Sequence, residues 1–171
     1  MDAMDLALRS WRMSDAPALA ALLNDAQVQR NLRDGLPYPY TPAHARDFLE
    51  QLLAADPDKI FAYAITQAEG VVGSLSVTRQ ENVHRYSGEL GYLLGRSYWG
   101  CGIATWAVKQ AAEELFARTD LLRIYAQPLA RNLASCRVLE KAGFQLEGTL
   151  RRSAVKEGEV LDTRLYAILR P

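Results

Sequence analysis

Apolar and polar positions change period several times along the chain, and each change marks an element. Leu6 and Leu8 alternate with Ala7 and Arg9, a short strand pattern. Ser14 or Asp15 then caps a helix that tolerates Pro17 in its first turn and carries Leu19, Leu22 and Leu23 as its stripe. Asp25 to Gln29 reads as a second short helix. Residues 31–40 hold Gly35, Pro37 and Pro39 and read as a loop. Thr41-Pro42 restarts a helix as N-cap and first helical residue. Phe48, Leu49, Leu52 and Leu53 are expected on its buried face, and Asp56-Pro57-Asp58 ends it. Three strands follow, at 60–66, 71–78 and 86–94, with short polar links that suggest an antiparallel meander. The period then lengthens. Ile103, Ala107, Ala111 and Leu115 recur at i, i+4 spacing and predict a helix over 103–118. Arg123 to Gln127 is a strand that stops before Pro128. Asn132 caps a helix to Ala142, with Gly143 as the left-handed residue at its end. Residues 144–150 and 160–169 are the last strands, and Lys156 to Glu159 is the hairpin tip between them. The order β-α-α-β-β-β-α-β-α-β-β predicts an α/β fold, a mixed sheet with helices on both faces.

Size and charge narrow the function more than the fold. The 171 residues suit one domain, 1–171, with one sizeable core. Lys plus Arg and Asp plus Glu both number 20, so the formal charge is zero. No strong field favours nucleic acid or an anionic membrane, and neither is expected as a partner. No apolar run approaches the roughly 18 residues of a membrane span. The start, Met1-Asp2-Ala3-Met4-Asp5, is acidic and lacks a signal-peptide core, so a cytoplasmic location is expected. Cys101 and Cys136 show no metal-ligand spacing, and His44 and His84 are too few for a histidine-rich centre. No metal is expected.

The stretch Arg96-Ser-Tyr-Trp-Gly-Cys-Gly-Ile-Ala-Thr105 joins a strand to a helix. A strand that ends in a glycine-spaced turn and opens a helix leaves several main-chain N–H groups without intrahelical partners. Those donors and the positive end of the helix dipole suit a phosphate. Gly100 and Gly102 lack a Cβ, so a ligand can approach the main chain closely. A plain turn that binds nothing has the same pattern.

Three stretches together resemble the GNAT superfamily of acyl-coenzyme A-dependent N-acetyltransferases. Trp99-Gly100-Cys101-Gly102-Ile103-Ala104 is similar to the family's acyl-coenzyme A loop at Gly102 and Ala104, although Trp99 replaces the usual Gln or Arg. Arg131-Asn132-Leu133-Ala134-Ser135, followed by Leu139-Glu140-Lys141-Ala142-Gly143-Phe144, resembles the signature of the ribosomal-protein N-terminal acetyltransferase subgroup. Glu147-Gly148-Thr149-Leu150-Arg151, then Asp162 and Tyr166, resembles that subgroup's carboxyl-terminal pattern. The resemblance covers nearly the whole chain. It implies a mostly antiparallel sheet of about seven strands that splays beside the glycine loop. Acetyl-coenzyme A is the implied co-substrate. Its pantetheine would pair with the main chain of Tyr92, Leu93 and Leu94, and its pyrophosphate would sit on the N–H groups from Gly100 through Cys101, Gly102, Ile103 and Ala104 to Thr105.

Acetyl transfer to an amine needs a neutral amine, a polarised carbonyl, a stabilised oxyanion and a proton for the departing thiolate. A main-chain N–H of Leu93 or Leu94 is the expected polarising group. Glu89, a carboxylate inside an apolar strand, is the candidate base, with His84 as runner-up; a solvated carboxylate on an open strand face fits the same pattern. Many family members place a tyrosine seven residues after Asn132, but Leu139 stands there and cannot donate. The subgroup has a serine three residues after the asparagine, which makes Ser135 the candidate acid, unless it serves only its helix terminus. Asn132 is both an N-cap and the implied partner of a pantetheine amide. Arg137, with Arg96 and Lys141, is a candidate for charge near the phosphates. Cys101 stands where many relatives carry a basic residue, at a place open to alkylating agents. Trp11 and Trp106 read as packing residues.

The function these features imply is N-acetyl transfer from acetyl-coenzyme A to a primary amine by direct transfer in a ternary complex. No Cys-His pair suggests a covalent enzyme. The acceptor is expected to be a peptide or protein N-terminus or a small-molecule amine, entering between the 31–40 loop and the 156–159 hairpin. A monomer or homodimer is expected. The alternatives are a non-catalytic acyl-coenzyme A sensor of the same fold and an unrelated nucleotide-binding module. The absence of a Gly-Lys-Ser/Thr motif argues against a P-loop.

Overall fold

A computed structural model describes residues 5–171; the acidic start, residues 1–4, lies outside them. β1 (Leu6–Arg9) leads through a 3-10 turn at Met13–Asp15 into α1 (Ala16–Leu23), α2 (Ala26–Gln29) and α3 (Pro42–Ala54). The meander follows as β2 (Ile60–Gln67), β3 (Gly70–Arg79) and β4 (Ser87–Leu94). Then come α4 (Ile103–Arg118), β5 (Arg123–Ala126), α5 (Leu133–Lys141), β6 (Gln145–Lys156) and β7 (Glu159–Leu169).

Local chemistry sets most of these boundaries. Thr41 Oγ1 accepts the N–H of His44 at 3.3 Å, and His44 Nδ1 lies 3.0 Å from the Thr41 N–H. This is a capping box with His in the third position. Asp25 Oδ1 accepts the Gln27 N–H at 2.8 Å and opens α2. Gly143, at φ +94°, follows α5 in the left-handed region. Asp15 departs from the expected capping role. Its carboxylate takes a forked pair of bonds from Arg9 at 2.8 and 2.9 Å and accepts the Arg12 N–H at 2.9 Å. It therefore ties β1 to the turn ahead of α1.

Among the described residues the sheet has seven strands, in the order β1-β2-β3-β4-β5-β7-β6. Every pairing is antiparallel except β4 with β5. One face of the sheet packs on α4 and α5 through Leu75, Val77, Ile103, Leu115, Ile124 and Leu139 among others. The other face carries a second core of Trp11, Leu19, Leu23, Val28, Tyr40 and Leu49, which α1 to α3 close. On α3, Ala45 and Leu49 are fully buried, but Phe48 is 40% and Leu53 49% exposed. The helical period explains this correction: residues 45, 49 and 52 share one stripe, and 48 and 53 fall on its flanks. β6 runs past the expected end at Leu150 to Lys156. The polar run Arg151-Arg152-Ser153 hides its continuation, which passes through an irregularity where Arg152 takes φ +51°.

Candidate active site

The site begins where β4 and β5 part. Their parallel ladder runs only from Ser87 opposite Arg123 to Glu89 opposite Tyr125. Past that fork β4 continues to Leu94, while β5 ends at Ala126 against β7. Antiparallel pairing decides which main-chain groups face the gap. The Gln80 N–H donates to the Ser87 carbonyl and the Gly95 N–H to the Val72 carbonyl, both at 2.9 Å. The β3–β4 register between them is unbroken. Alternate residues turn both main-chain groups to the same neighbour. Glu89, Gly91 and Leu93 therefore face β3, and Leu90, Tyr92 and Leu94 face the β5 side. Tyr92 and Leu94 thus have main-chain groups on the gap side, and those of Leu93 lie on β3. The Leu94 carbonyl already accepts the Trp99 indole N–H at 3.0 Å, which folds the loop back on β4.

The glycine loop continues from there. Gly100 and Gly102 take φ +74° and +78°, a region that glycine enters at little cost. A Cβ at either would meet nothing within 4 Å, so the conformation and not packing requires glycine. No main-chain N–H from Gly100 to Thr105 donates to a protein acceptor among the described residues. A row of free donors at a helix start is suited to an anion. Ile103 turns its side chain into the core, so its contribution is its main chain. Cys101 is exposed, its Sγ 3.5 Å from the Trp99 carbonyl. Arg137 lies exposed on α5 and is not among the residues lining the cavity.

One cavity of about 800 Å³ follows the gap. It brings together Glu89, Tyr92, Trp99, Gly100, Asn132 and Ser135. Asn132 caps α5, its Oδ1 accepting the Ser135 N–H at 3.3 Å. The Ser135 hydroxyl does not serve the helix terminus. Its Oγ is 2.6 Å from the Tyr92 phenol oxygen, which also lies 3.3 Å from the Ser135 carbonyl. Burial pushes the Tyr92 phenol up to about 12, against the opposing bond from Ser135. Tyr92 therefore stays protonated at neutral pH. Glu89 sits at the fork and accepts the Tyr125 hydroxyl at 3.3 Å. Burial and the Glu89 charge both push the Tyr125 phenol up. His84 lies in an exposed 3-10 turn outside the cavity lining.

The far end of the cavity rests on contacts that sequence reasoning did not find. Lys156, buried at the end of β6, donates to the Arg33 carbonyl at 3.0 Å. The Glu157 N–H donates to Asp34 at 3.0 Å. Arg131 bonds Asn31, the Arg30 carbonyl and Glu159 at 2.9–3.1 Å. Residues 31–33 and Lys156 therefore wall the cavity, and these bonds clasp the loop to the hairpin. Tyr92 had a readable signal: it shares a strand face with the apolar Leu90 and Leu94, and a buried phenol needs a partner.

A sheet forked beside a helix start lined with free N–H groups is suited to an extended, anion-bearing ligand between two strands. The family model for the acetyltransferase (GNAT) domain matches residues 5–145, and the chain belongs to that family. It is an N-acetyltransferase, of a family that uses acetyl-coenzyme A. The chain is 28% identical to the uncharacterized N-acetyltransferase p20 of Bacillus licheniformis, over 96% of this chain and 93% of that one. Among solved structures it is similar to RimL, a ribosomal L7/L12 α-N-protein acetyltransferase in complex with coenzyme A. Identity is 25%, the TM-score 0.85, and coverage 98% of this chain and 95% of that one. Mycobacterium smegmatis RimJ in complex with CoA-disulfide is 26% identical with a TM-score of 0.86, over 96% and 81%. Among the described residues no cluster of His, Cys, Asp and Glu is arranged to hold a metal, and no helix is long and apolar enough to cross a membrane.

Proposed function

We propose that the chain, acting as one catalytic domain, moves the acetyl group of acetyl-coenzyme A directly to a primary amine in a ternary complex. The carrying observation is the convergence on one forked cavity of a carboxylate, Glu89, and a paired hydroxyl, Ser135 with Tyr92. The main-chain donors from Gly100 to Thr105 hold the pyrophosphate. Tyr92 and Leu94 offer main-chain groups to the pantetheine, as does the side chain of Asn132, and the coenzyme supplies the activated thioester. The Leu94 N–H polarises its carbonyl. Glu89, held by Tyr125, takes the amine proton directly or through a water. The Ser135 hydroxyl gives a proton to the departing sulfur. Tyr92 donates to Ser135 Oγ and so turns the serine hydrogen toward the cavity.

The acceptor is a peptide or protein N-terminus or a small-molecule amine. An α-amine has a pKa near ~8 and a lysine side chain near ~10.4. Deprotonating the first costs roughly 3 kcal/mol less, at about 1.36 kcal/mol per unit. A carboxylate is a weak base and manages the smaller task more readily. The test is thiol release with an amine library, followed by kcat/KM against pH for wild type and Glu89→Gln. One peptide offers an α-amine, the other a lysine with a blocked N-terminus. The α-amine is expected to react faster, and Glu89→Gln to remove the rate's dependence on a deprotonated base while coenzyme affinity holds. Superimposable profiles would remove Glu89 from the role. Tight coenzyme binding with no thiol release from any amine would make the chain a sensor.

A further inference from the structure

We infer that the acceptor carries a carboxylate close to its reacting amine and that Arg30 and Arg33 read it. The inference rests on the transfer reading above and names the substrate class of that same site. The walls of the acceptor end are α2 with the residues after it on one side and the end of β6 on the other. Three cations lie on these walls, Arg30, Arg33 and Lys156, while among the described residues Glu89 is the single carboxylate of the cavity lining.

The two arginines are poorly compensated, and Lys156 has only a long ion pair. Neither Arg30 nor Arg33 forms an ion pair among the described residues. Among the described residues the Arg33 guanidinium donates only to the carbonyl of its neighbour Asp34, at 3.1 Å. The Lys156 ammonium is 3.9 Å from the Asp34 carboxylate, beyond hydrogen-bond reach, and that carboxylate is half exposed. Arg131, by contrast, is paired with Glu159 at 3.0 Å and braces the wall.

The coenzyme phosphates do not account for this charge. Their donors open α4, which packs on one face of the sheet. α2 belongs to the core on the opposite face, the face toward which Glu89 and Leu93 turn their side chains. A positive wall around a reacting amine disfavours a second ammonium and favours an anion beside it. The planar fork of a guanidinium matches a carboxylate with two parallel bonds. The carboxylate can come from acidic side chains at the second and third residues of a peptide or from a free amino acid.

The experiment measures thiol release from acetyl-coenzyme A with three amidated pentapeptides that share a first residue. They carry Glu-Glu, Ala-Ala or Lys-Lys next. Free glutamate and spermidine are the small-molecule arms. The acidic peptide is expected to exceed the neutral one in kcat/KM by roughly tenfold, the scale of one charge-assisted contact, and its advantage should shrink with added salt. The double variant Arg30→Glu, Arg33→Glu should invert the order of the acidic and lysine peptides, and the inversion itself shows that the variant folds. Free glutamate outrunning the acidic peptide would keep the charge rule and assign the carboxylate to a small molecule. Rates blind to charge, a preference for spermidine, or an unchanged order in the double variant would overturn this inference alone. Thiol release with none of the acceptors would overturn the transfer reading and this inference with it.

Discussion

The end of the cavity assigned to the coenzyme is built mostly from main chain, and the end assigned to the acceptor from side chains. At the first, the groups on offer are free N–H groups from Gly100 to Thr105 and the gap-facing main chain of Tyr92 and Leu94, with Asn132 as the one side chain, and main-chain groups place few demands on residue identity. At the second, the wall exists because Lys156, Arg131 and Glu157 reach residues about a hundred or more positions away in the chain. A main-chain site needs only a local conformation, so a short motif records it. A side-chain wall needs distant segments to meet, and no local pattern records that. One fold can therefore keep its coenzyme and change its amine.

The pair Ser135 and Tyr92 lies between the two ends and tests the comparison hardest. If side chains matter only at the acceptor end and in the chemistry, Ser135→Ala should lower kcat by roughly ten- to a thousandfold, the range of general-acid effects, with coenzyme still bound. Tyr92→Phe should lower kcat by about tenfold with the coenzyme KM little moved, because the serine loses the donor that orients it. Burst and steady-state rates, measured where chemistry limits turnover, check both. Full activity in Ser135→Ala would return that serine to a structural role and Tyr92 with it.

The next largest effect should come from the main-chain end. Gly102 holds φ +78° with open space around its missing Cβ. A Cβ there meets no protein atom within 4 Å, yet Gly102→Val strains the backbone and stands a side chain beside the free N–H row. Coenzyme affinity should fall roughly a hundredfold, about two charge-assisted contacts, as measured by calorimetry, while the fold survives. An unchanged dissociation constant would move the ligand off this loop.

The same contrast explains what the chain disclosed before folding. The α4 stripe, the Asn132 cap, the Gly143 terminus and the two-glycine loop are local, and each is found where its pattern predicts. Glu89 and Ser135 were readable as residue types in place, but their hydroxyl partners come from strands 36 and 43 positions away. The extent of β6 was not legible, because most of the strand is exposed on both faces and has no period to show. The clasp over the acceptor end joins polar residues that each read as surface.

The smallest effect separates the two halves by stability. The bonds from Arg9 hold the Asp15 carboxyl below its ordinary value, against burial, which pushes the other way, and the Arg12 N–H assists. Its pKa in the folded chain is thus lower than in the unfolded chain, where a carboxyl titrates near ~3.9. A group shifted down contributes stability that is fully present above the unfolded pKa and is lost as pH falls through the folded one. The loss therefore falls below about pH 4. It should be on the order of 1 kcal/mol for a pair partly open to water. It acts on one half, because Asp15 ties β1 to the turn before α1, and α1 covers the acceptor-side core. Hydrogen exchange at acid pH should therefore open Ala16–Leu23 before Ile103–Arg118. In Asp15→Asn that ordering should already be present at neutral pH, and the acid-dependent part of it should vanish. If both helices lose protection together in wild type and variant alike, the halves are one cooperative unit, and the division between the two ends of the cavity is chemical without being mechanical.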